Sequence, residues 1–88
     1  MNKVIETKLI QLIREIYRDS YGQFPAEPLT LETDVQKDLH FDSILLVVLQ
    51  IQIEDEFQIR FDAAHDDLRY TFSKIGRIID YIQQHVGV

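Results

Sequence analysis

The strongest constraint on the fold of this chain is an almost unbroken apolar run at residues 44–53, ILLVVLQIQI. The run is much shorter than the roughly 20 residues that a helix needs to cross a bilayer. Asp42 and Ser43 stand directly before it. Both residue types are preferred at helix N-caps, where an acidic side chain also favours the positive end of the helix dipole. The sequence therefore predicts a helix that begins at Asp42 or Ser43 and ends near Phe57.

This predicted helix has an apolar face on each side, which is unusual in a chain of 88 residues. With successive residues about 100° apart, two apolar stripes lie on different sides of the helix. The first stripe comprises Leu46, Leu49, Ile53 and Phe57, and the second comprises Ile44, Val47, Val48 and Ile51. We expect the first stripe to face the core. The second is either covered by a loop or exposed to a partner, and we favour exposure because contiguous apolar surface usually marks a binding site.

The remaining segments predict an all-α plan. Residues 3–21 repeat apolar side chains every three or four positions, which predicts an amphipathic first helix. Residues 22–42 predict a long loop. Its packing residues are expected to be Leu29, Leu31, Val35 and Leu39. Residues 66–70 predict a short helical turn, and residues 73–85 predict the last helix. The expected fold is a small four-helix bundle, with three main helices and one short helix, in a single domain over residues 1–88.

Composition excludes several classes of function. The chain has no cysteine, so disulfides, thiolate zinc sites and thiol nucleophiles are excluded. Its net charge of −6 is concentrated in residues 27–67, where eleven acids stand against Lys37 and Arg60. This charge argues against nucleic acid as a partner and favours a basic protein partner. Without a signal peptide or a membrane segment, the chain is expected to be a cytoplasmic monomer that does not bind membranes.

Three acids, Glu54, Asp55 and Glu56, close the apolar helix. Acids near a helix C-terminus oppose the helix dipole, and neighbouring acids repel one another. Because local stability would favour lysine or arginine there, we interpret the acidic run as suited to a basic partner.

No arrangement of side chains predicts catalysis by the chain itself. His40, His65 and His85 lack the spacing of a metal site. His40, Asp42 and Ser43 supply the residue types of a hydrolase triad, but three neighbours on one short segment cannot readily stack as a triad requires. The three glycines are isolated, so no glycine-rich phosphate loop is present. We therefore expect a protein that is not an enzyme and binds no metal.

Residues 38–44, DLHFDSI, resemble the attachment motif of acyl and peptidyl carrier proteins, in which Asp-Ser-Leu follows a Leu-Gly pair. Phe57, fourteen positions after Ser43 and preceded by the acidic run, is similar to the end of that family's second helix. The segment that starts at Phe72 resembles the last helix, with its apolar positions at Ile75, Ile78, Ile79, Tyr81 and Ile82. The resemblance covers essentially the whole chain.

This resemblance implies that Ser43 carries a covalent 4′-phosphopantetheine arm, which a phosphopantetheinyl transferase moves from coenzyme A. The thiol of the arm would hold acyl or aminoacyl cargo as a thioester for loading and downstream enzymes with basic or apolar docking patches. By the same resemblance, Asp42 helps to position the transferase and its metal ion. The expected partner surface comprises Ile44, Leu45, Val47, Val48, Ile51, Glu54, Asp55 and Glu56.

The chain departs from the family pattern at three positions. His40 stands where the family usually has glycine, which predicts a different bend or a rarer backbone conformation at this residue. Leu45 and Val48 stand where carriers of fatty-acid synthesis usually have acids. A dedicated pathway is therefore favoured, such as polyketide, nonribosomal peptide or amino-acid-loading chemistry. The alternative is a helical interaction module that never receives the arm, and Ser43→Ala distinguishes the two.

Overall fold

The described part of the chain, residues 3–62 and 67–86 of a computed structural model, is helical in all its regular elements. These elements are α1 (Lys3–Tyr21), α2 (Ser43–Phe57), α3 (Leu68–Thr71) and α4 (Ile75–His85). Three long helices and one short helix therefore form the fold, which confirms the predicted all-α architecture. Within the described residues, no helix is long and apolar enough to span a membrane.

Helix α1 has the predicted bounds and buries one face. Its buried residues are Ile5, Leu9, Ile13 and Ile16. The helix ends where Gly22 takes a φ of 81° and its N–H donates to the Arg18 carbonyl at 2.8 Å. This left-handed conformation is one that glycine adopts without a steric penalty, so the glycine gives α1 a defined end.

The long loop packs as predicted and also fixes the start of α4. Val35 and Leu39 are buried, and Leu29 and Leu31 pack against the core. Loop carbonyls then accept the first free N–H groups of α4. Ile75 N–H donates to the Thr33 carbonyl at 3.0 Å, and Gly76 N–H donates to the Leu31 carbonyl at 2.9 Å.

These loop bonds explain why α4 begins at Ile75 rather than near residue 73, as the sequence predicted. Lys74 is the N-cap in an extended conformation and gives no side-chain cap. Loop carbonyls therefore do the capping. Gly76 permits the close approach, because a Cβ at this position would lie 3.1 Å from the Leu31 oxygen.

The core lies between α4, α1 and one side of α2. Helix α4 buries Ile75, Ile78, Ile79, Tyr81 and Ile82. Four further buried residues outside the helices were not predicted: Phe41, Ile59, Phe61 and Phe72. The Phe61 ring lies 5.2 Å from the Phe72 ring and 4.6 Å from the Tyr81 ring, between centroids, so the connection after α2 contributes an aromatic layer to the core.

The short helix lies close to its predicted place. It runs over Leu68–Thr71 instead of residues 66–70, and residue 66 lies outside the described residues. Asp67 defines the start, because its carboxylate accepts the Tyr70 N–H at 3.1 Å. The cap is the side-chain bond that aspartate commonly makes at this position.

Candidate functional site

The N-terminus of α2 presents Ser43 to solvent on a firmly capped turn. Asp42 is the N-cap, and its Oδ1 accepts the Leu45 N–H at 2.9 Å. The Asp42 carbonyl also accepts the Leu46 N–H at 2.9 Å. Ser43 is the first residue of the helix and is exposed. Its hydroxyl is therefore held at a fixed point of the surface and is accessible to a reagent from solution.

The segment before this turn is held in place by buried side chains at every second residue. Leu39 and Phe41 are buried, while His40 between them is exposed. His40 has a φ of 58°, and its carbonyl accepts the Tyr21 hydroxyl at 2.8 Å. The rarer backbone conformation predicted for His40 is thus confirmed. This left-handed residue directs the chain from the loop into α2.

A groove opens beside Ser43, between the first turns of α2 and the short helix α3. Its volume is about 470 Å³. Its lining includes Gln36, Phe41, Asp42, Ser43, Leu46, Val47, Gln50, Leu68, Arg69 and Phe72. These described lining residues are largely apolar and include two amides and two charged groups. A flexible arm attached to the serine hydroxyl therefore has space beside it, and the residues present fit a tethered prosthetic group with apolar and amide portions.

The two sides of α2 differ as predicted in exposure. Leu49 and Ile53 are fully buried, and the other two residues of the first stripe, Leu46 and Phe57, pack against the core while partly exposed. Of the second stripe, Ile44 is 71% exposed, Val47 52% and Ile51 57%. The long loop does not cover these three side chains, so the apolar stripe is open surface.

Leu45 and Val48, predicted for the same surface, lie differently. Both are only partly exposed, and both pack against the core cluster. Their side chains therefore lie between the buried side of α2 and its exposed side. The exposed apolar stripe is therefore narrower than the predicted partner surface, and its members are Ile44, Val47 and Ile51.

The acids at the end of α2 have partners within the chain that the sequence did not indicate. Glu54 Oε2 accepts the Phe61 N–H at 2.8 Å and so fixes the connection that follows the helix. Glu56 forms an ion pair with Lys8 of α1 at 3.3 Å. Among the described residues, no partner engages the Asp55 carboxylate. Two of the three acids therefore contribute to the fold, and the third projects from the surface.

The side chains that could have formed a catalytic or metal centre are not arranged as one in the described part of the chain. His40, Asp42 and Ser43 make no hydrogen bond with one another there, since the Asp42 carboxylate caps α2. His85 stacks on the Tyr81 ring at 4.0 Å between centroids, and His65 lies outside the described residues. No group of three candidate ligands within residues 3–62 and 67–86 could hold a metal ion.

Comparison with known proteins gives relatives over most of the chain. A family model described as "Phosphopantetheine attachment site" matches residues 8–82. The acyl carrier protein of Phytoplasma mali (strain AT) is 40% identical over 58 residues, 66% of each chain. The acyl carrier protein of Lactobacillus acidophilus is 29% identical over 82 residues, which are 93% of this chain and 98% of that one.

Two solved structures share the fold. The crystal structure of an acyl carrier protein from Thermotoga maritima has a TM-score of 0.67 at 28% identity and covers 96% of this chain and 93% of that one. The solution structure of the apo doublet acyl carrier protein from prodigiosin biosynthesis has a TM-score of 0.63 at 22% identity. It covers 98% of this chain and 40% of the doublet, and this likeness is one of fold.

Proposed function

Because this chain belongs to the phosphopantetheine attachment site family, as a carrier protein of the acyl carrier protein type with covalent 4′-phosphopantetheine, we propose that Ser43 is the attachment residue. The chain has three serines. The Ser73 hydroxyl is engaged with the Tyr70 carbonyl and the Arg77 guanidinium. Ser20 lies in the last turn of α1, away from the groove. Ser43 alone among the three lines the groove beside a helix N-terminus, and this placement carries the proposal.

The chain contributes a hydroxyl and a fixed geometry to the modification. The Ser43 Oγ would bond to the phosphorus that carries the pantetheine moiety of coenzyme A while the P–O bond of the pyrophosphate breaks. Adenosine 3′,5′-bisphosphate would leave, and the hydroxyl proton would pass to the transferase or to water. Asp42 Oδ1 is used in the cap, while its second oxygen makes no hydrogen bond among the described residues and is available to the transferase or its metal ion. The first N–H groups of α2 have no acceptor within the helix, so they favour an anionic group at this end.

The prosthetic group supplies a thiol that holds cargo as a thioester. Delivery then depends on partner recognition, and we assign this to the exposed stripe of Ile44, Val47 and Ile51, with Leu45 and Val48 at its edge. Asp55 adds an exposed negative charge that would attract a basic partner. Glu54 and Glu56 contribute to the same negative potential, although each also has a contact within the chain. The chain itself would not be a catalyst, and its effect is to raise the effective concentration of cargo at the enzymes it visits.

The apolar character of α2 favours a dedicated pathway over housekeeping fatty-acid synthesis. Acyl or aminoacyl transfer in polyketide, nonribosomal peptide or amino-acid-loading chemistry would require a partner with an apolar docking patch. We further propose that residues 1–88 form one carrier domain and that this domain acts as a monomer in the cytoplasm. Coenzyme A and the transferase would reach it there. Efficient turnover with housekeeping fatty-acid enzymes would contradict the pathway assignment.

The test is the intact mass of the protein after incubation with coenzyme A, magnesium and a broad-specificity phosphopantetheinyl transferase. We expect one phosphopantetheinyl group on the wild type, none on Ser43→Ala, and one on the matched control Ser20→Ala. A mass gain on Ser43→Ala would overturn the assignment. So would the absence of a mass gain on the wild type with both that transferase and the transferase of the source organism.

The exposed apolar stripe also fits a second candidate, a helical interaction module without an arm. Such a module would bind a partner helix on α2. It predicts that Ser43→Ala retains partner binding and biological function, whereas the carrier proposal predicts that function is lost. Complementation of a deletion strain by the Ser43→Ala gene separates the two.

A further inference from the structure

Among the described residues that line the groove beside Ser43, Arg69 of α3 is the positively charged side chain. The other charged residue among them is Asp42, whose carboxylate caps α2. Arg69 is exposed, and its guanidinium makes no hydrogen bond, ion pair or ring contact within residues 3–62 and 67–86. The groove therefore has Ser43 and a cation without a partner among the described residues in the same lining.

Neighbouring cations are already engaged. Lys74 pairs with Glu32 at 2.8 Å, and the Arg77 guanidinium lies 4.2 Å from the centroid of the Tyr70 ring. Arg69 differs from these two residues because it has no such contact among the described residues. The stability of the fold does not explain an arginine at this position, because an exposed charge without a partner contributes little to folding. Arg69 is thus a cation that has no partner in the part of the chain that the structure describes.

The backbone that carries Arg69 is held against the loop that leads to Ser43. Gln36 Nε2 donates to the Arg69 carbonyl at 3.3 Å and to the Phe72 carbonyl at 3.4 Å. These bonds tie α3 to the opposite wall of the groove. The long side chain of Arg69 therefore extends from a fixed stretch of backbone and lines the same groove as Ser43.

A positive charge is favoured there once the prosthetic group is attached, because that group brings an anion to the groove. The phosphodiester adds a negative charge next to Asp42, within a segment where eleven acids already oppose two cations. Two adjacent anions repel, and a guanidinium binds phosphate oxygens with two parallel N–H donors. We propose that Arg69 binds the phosphodiester on Ser43 and so holds the root of the arm at the mouth of the groove. This inference rests on the proposed attachment at Ser43.

The experiment compares the wild type with Arg69→Gln, Arg69→Lys and the control Arg60→Gln, all first converted to the holo form and checked by intact mass. Arg60→Gln removes the same charge from an exposed residue outside the groove lining. The readouts are the ³¹P resonance of the phosphodiester, the Nε–H cross-peak of Arg69, and the difference in Tm between holo and apo forms.

We expect the Arg69 cross-peak to move on conversion from apo to holo, and the ³¹P resonance to be displaced in Arg69→Gln but not in Arg60→Gln. The holo-minus-apo difference in Tm should fall by about 2–4 °C in Arg69→Gln, and Arg69→Lys should restore part of it. About 0.5 M salt should reduce this difference, because the pair is exposed.

Two failures can be told apart. Full conversion at Ser43 with the same ³¹P resonance and the same holo-minus-apo Tm in wild type and Arg69→Gln would overturn the role of Arg69 alone. Absence of the mass gain, or a gain that persists in Ser43→Ala, would overturn the attachment site and this inference with it.

Discussion

Helices α2 and α4 are both rich in aliphatic side chains, yet they use them differently. Helix α4 buries five residues along one face and directs its charged and amide side chains outward. Helix α2 buries only Leu49 and Ile53 completely and leaves Ile44, Val47 and Ile51 more than half exposed. The aliphatic residues of α4 serve the fold, whereas those of α2 are divided between the fold and the surface.

This difference indicates which residues folding explains. Full burial of an isoleucine contributes about 1.5–3 kcal/mol, and the three exposed residues of α2 forgo most of that stabilisation. Glutamine at these positions would keep a good helix propensity and would be better solvated. Folding therefore does not explain the exposed stripe, and the proposed docking surface beside Ser43 would explain it.

The largest effect is expected on the α4 side of the comparison. Ile78 is fully buried, so Ile78→Ala should lower the free energy of unfolding by about 2–5 kcal/mol through lost burial and a cavity. Urea unfolding followed by circular dichroism measures this. A loss below about 1 kcal/mol would mean that the core around α4 is loosely packed and that the contrast with α2 is smaller than the structure indicates.

The junction that directs the chain into α2 should give the next largest effect. His40→Val places a β-branched residue in a left-handed conformation and should destabilise the fold by about 1–2 kcal/mol, whereas His40→Gly should be neutral or slightly stabilising. Urea unfolding of both variants tests this. Equal destabilisation by valine and glycine would show that the His40 ring, rather than its backbone, matters.

A smaller effect on stability, with a larger one on recognition, is expected on the exposed stripe of α2. Ile51→Gln should change the free energy of unfolding by less than about 0.5 kcal/mol, since the side chain is mostly exposed. Its kcat/KM as a substrate of the transferase should fall about fivefold, because one apolar contact is lost. Val4→Gln, which removes a similarly exposed residue from α1, is the control and should leave kcat/KM unchanged. Equal effects of the two variants would remove α2 from the docking surface.

Sequence patterns predicted most of this comparison, because helical periodicity and the cap at Asp42 are local properties. The bounds of α1 and α2 and the open stripe on α2 follow from them, and the packing of the long loop follows from the apolar residues within it. The start of α4 depended on the Leu31 and Thr33 carbonyls, and the partners of Glu54 and Glu56 lie seven residues ahead or on another helix. Such contacts form only when distant segments meet, so residue spacing could not reveal them. The groove beside Ser43, which needs α3 in place, was missed for the same reason.

The smallest effect is expected where the long loop meets α4, at the exposed pair of Glu32 and Lys74. The hydrogen bond from Lys74, and then its positive charge, lower the pKa of Glu32 below its usual value. A lowered folded-state pKa means that the pair stabilises the fold above the unfolded-state pKa and that this contribution is lost as pH falls through the folded-state pKa. Lys74→Gln should therefore lower the urea midpoint slightly at neutral pH and leave no difference from wild type at about pH 3. Lys37→Gln, which removes an exposed lysine of the long loop with no ion pair among the described residues, should show no such pH dependence. A Lys74→Gln difference that is undiminished in acid would mean that the lysine acts on α4 through its N-cap backbone instead of through Glu32.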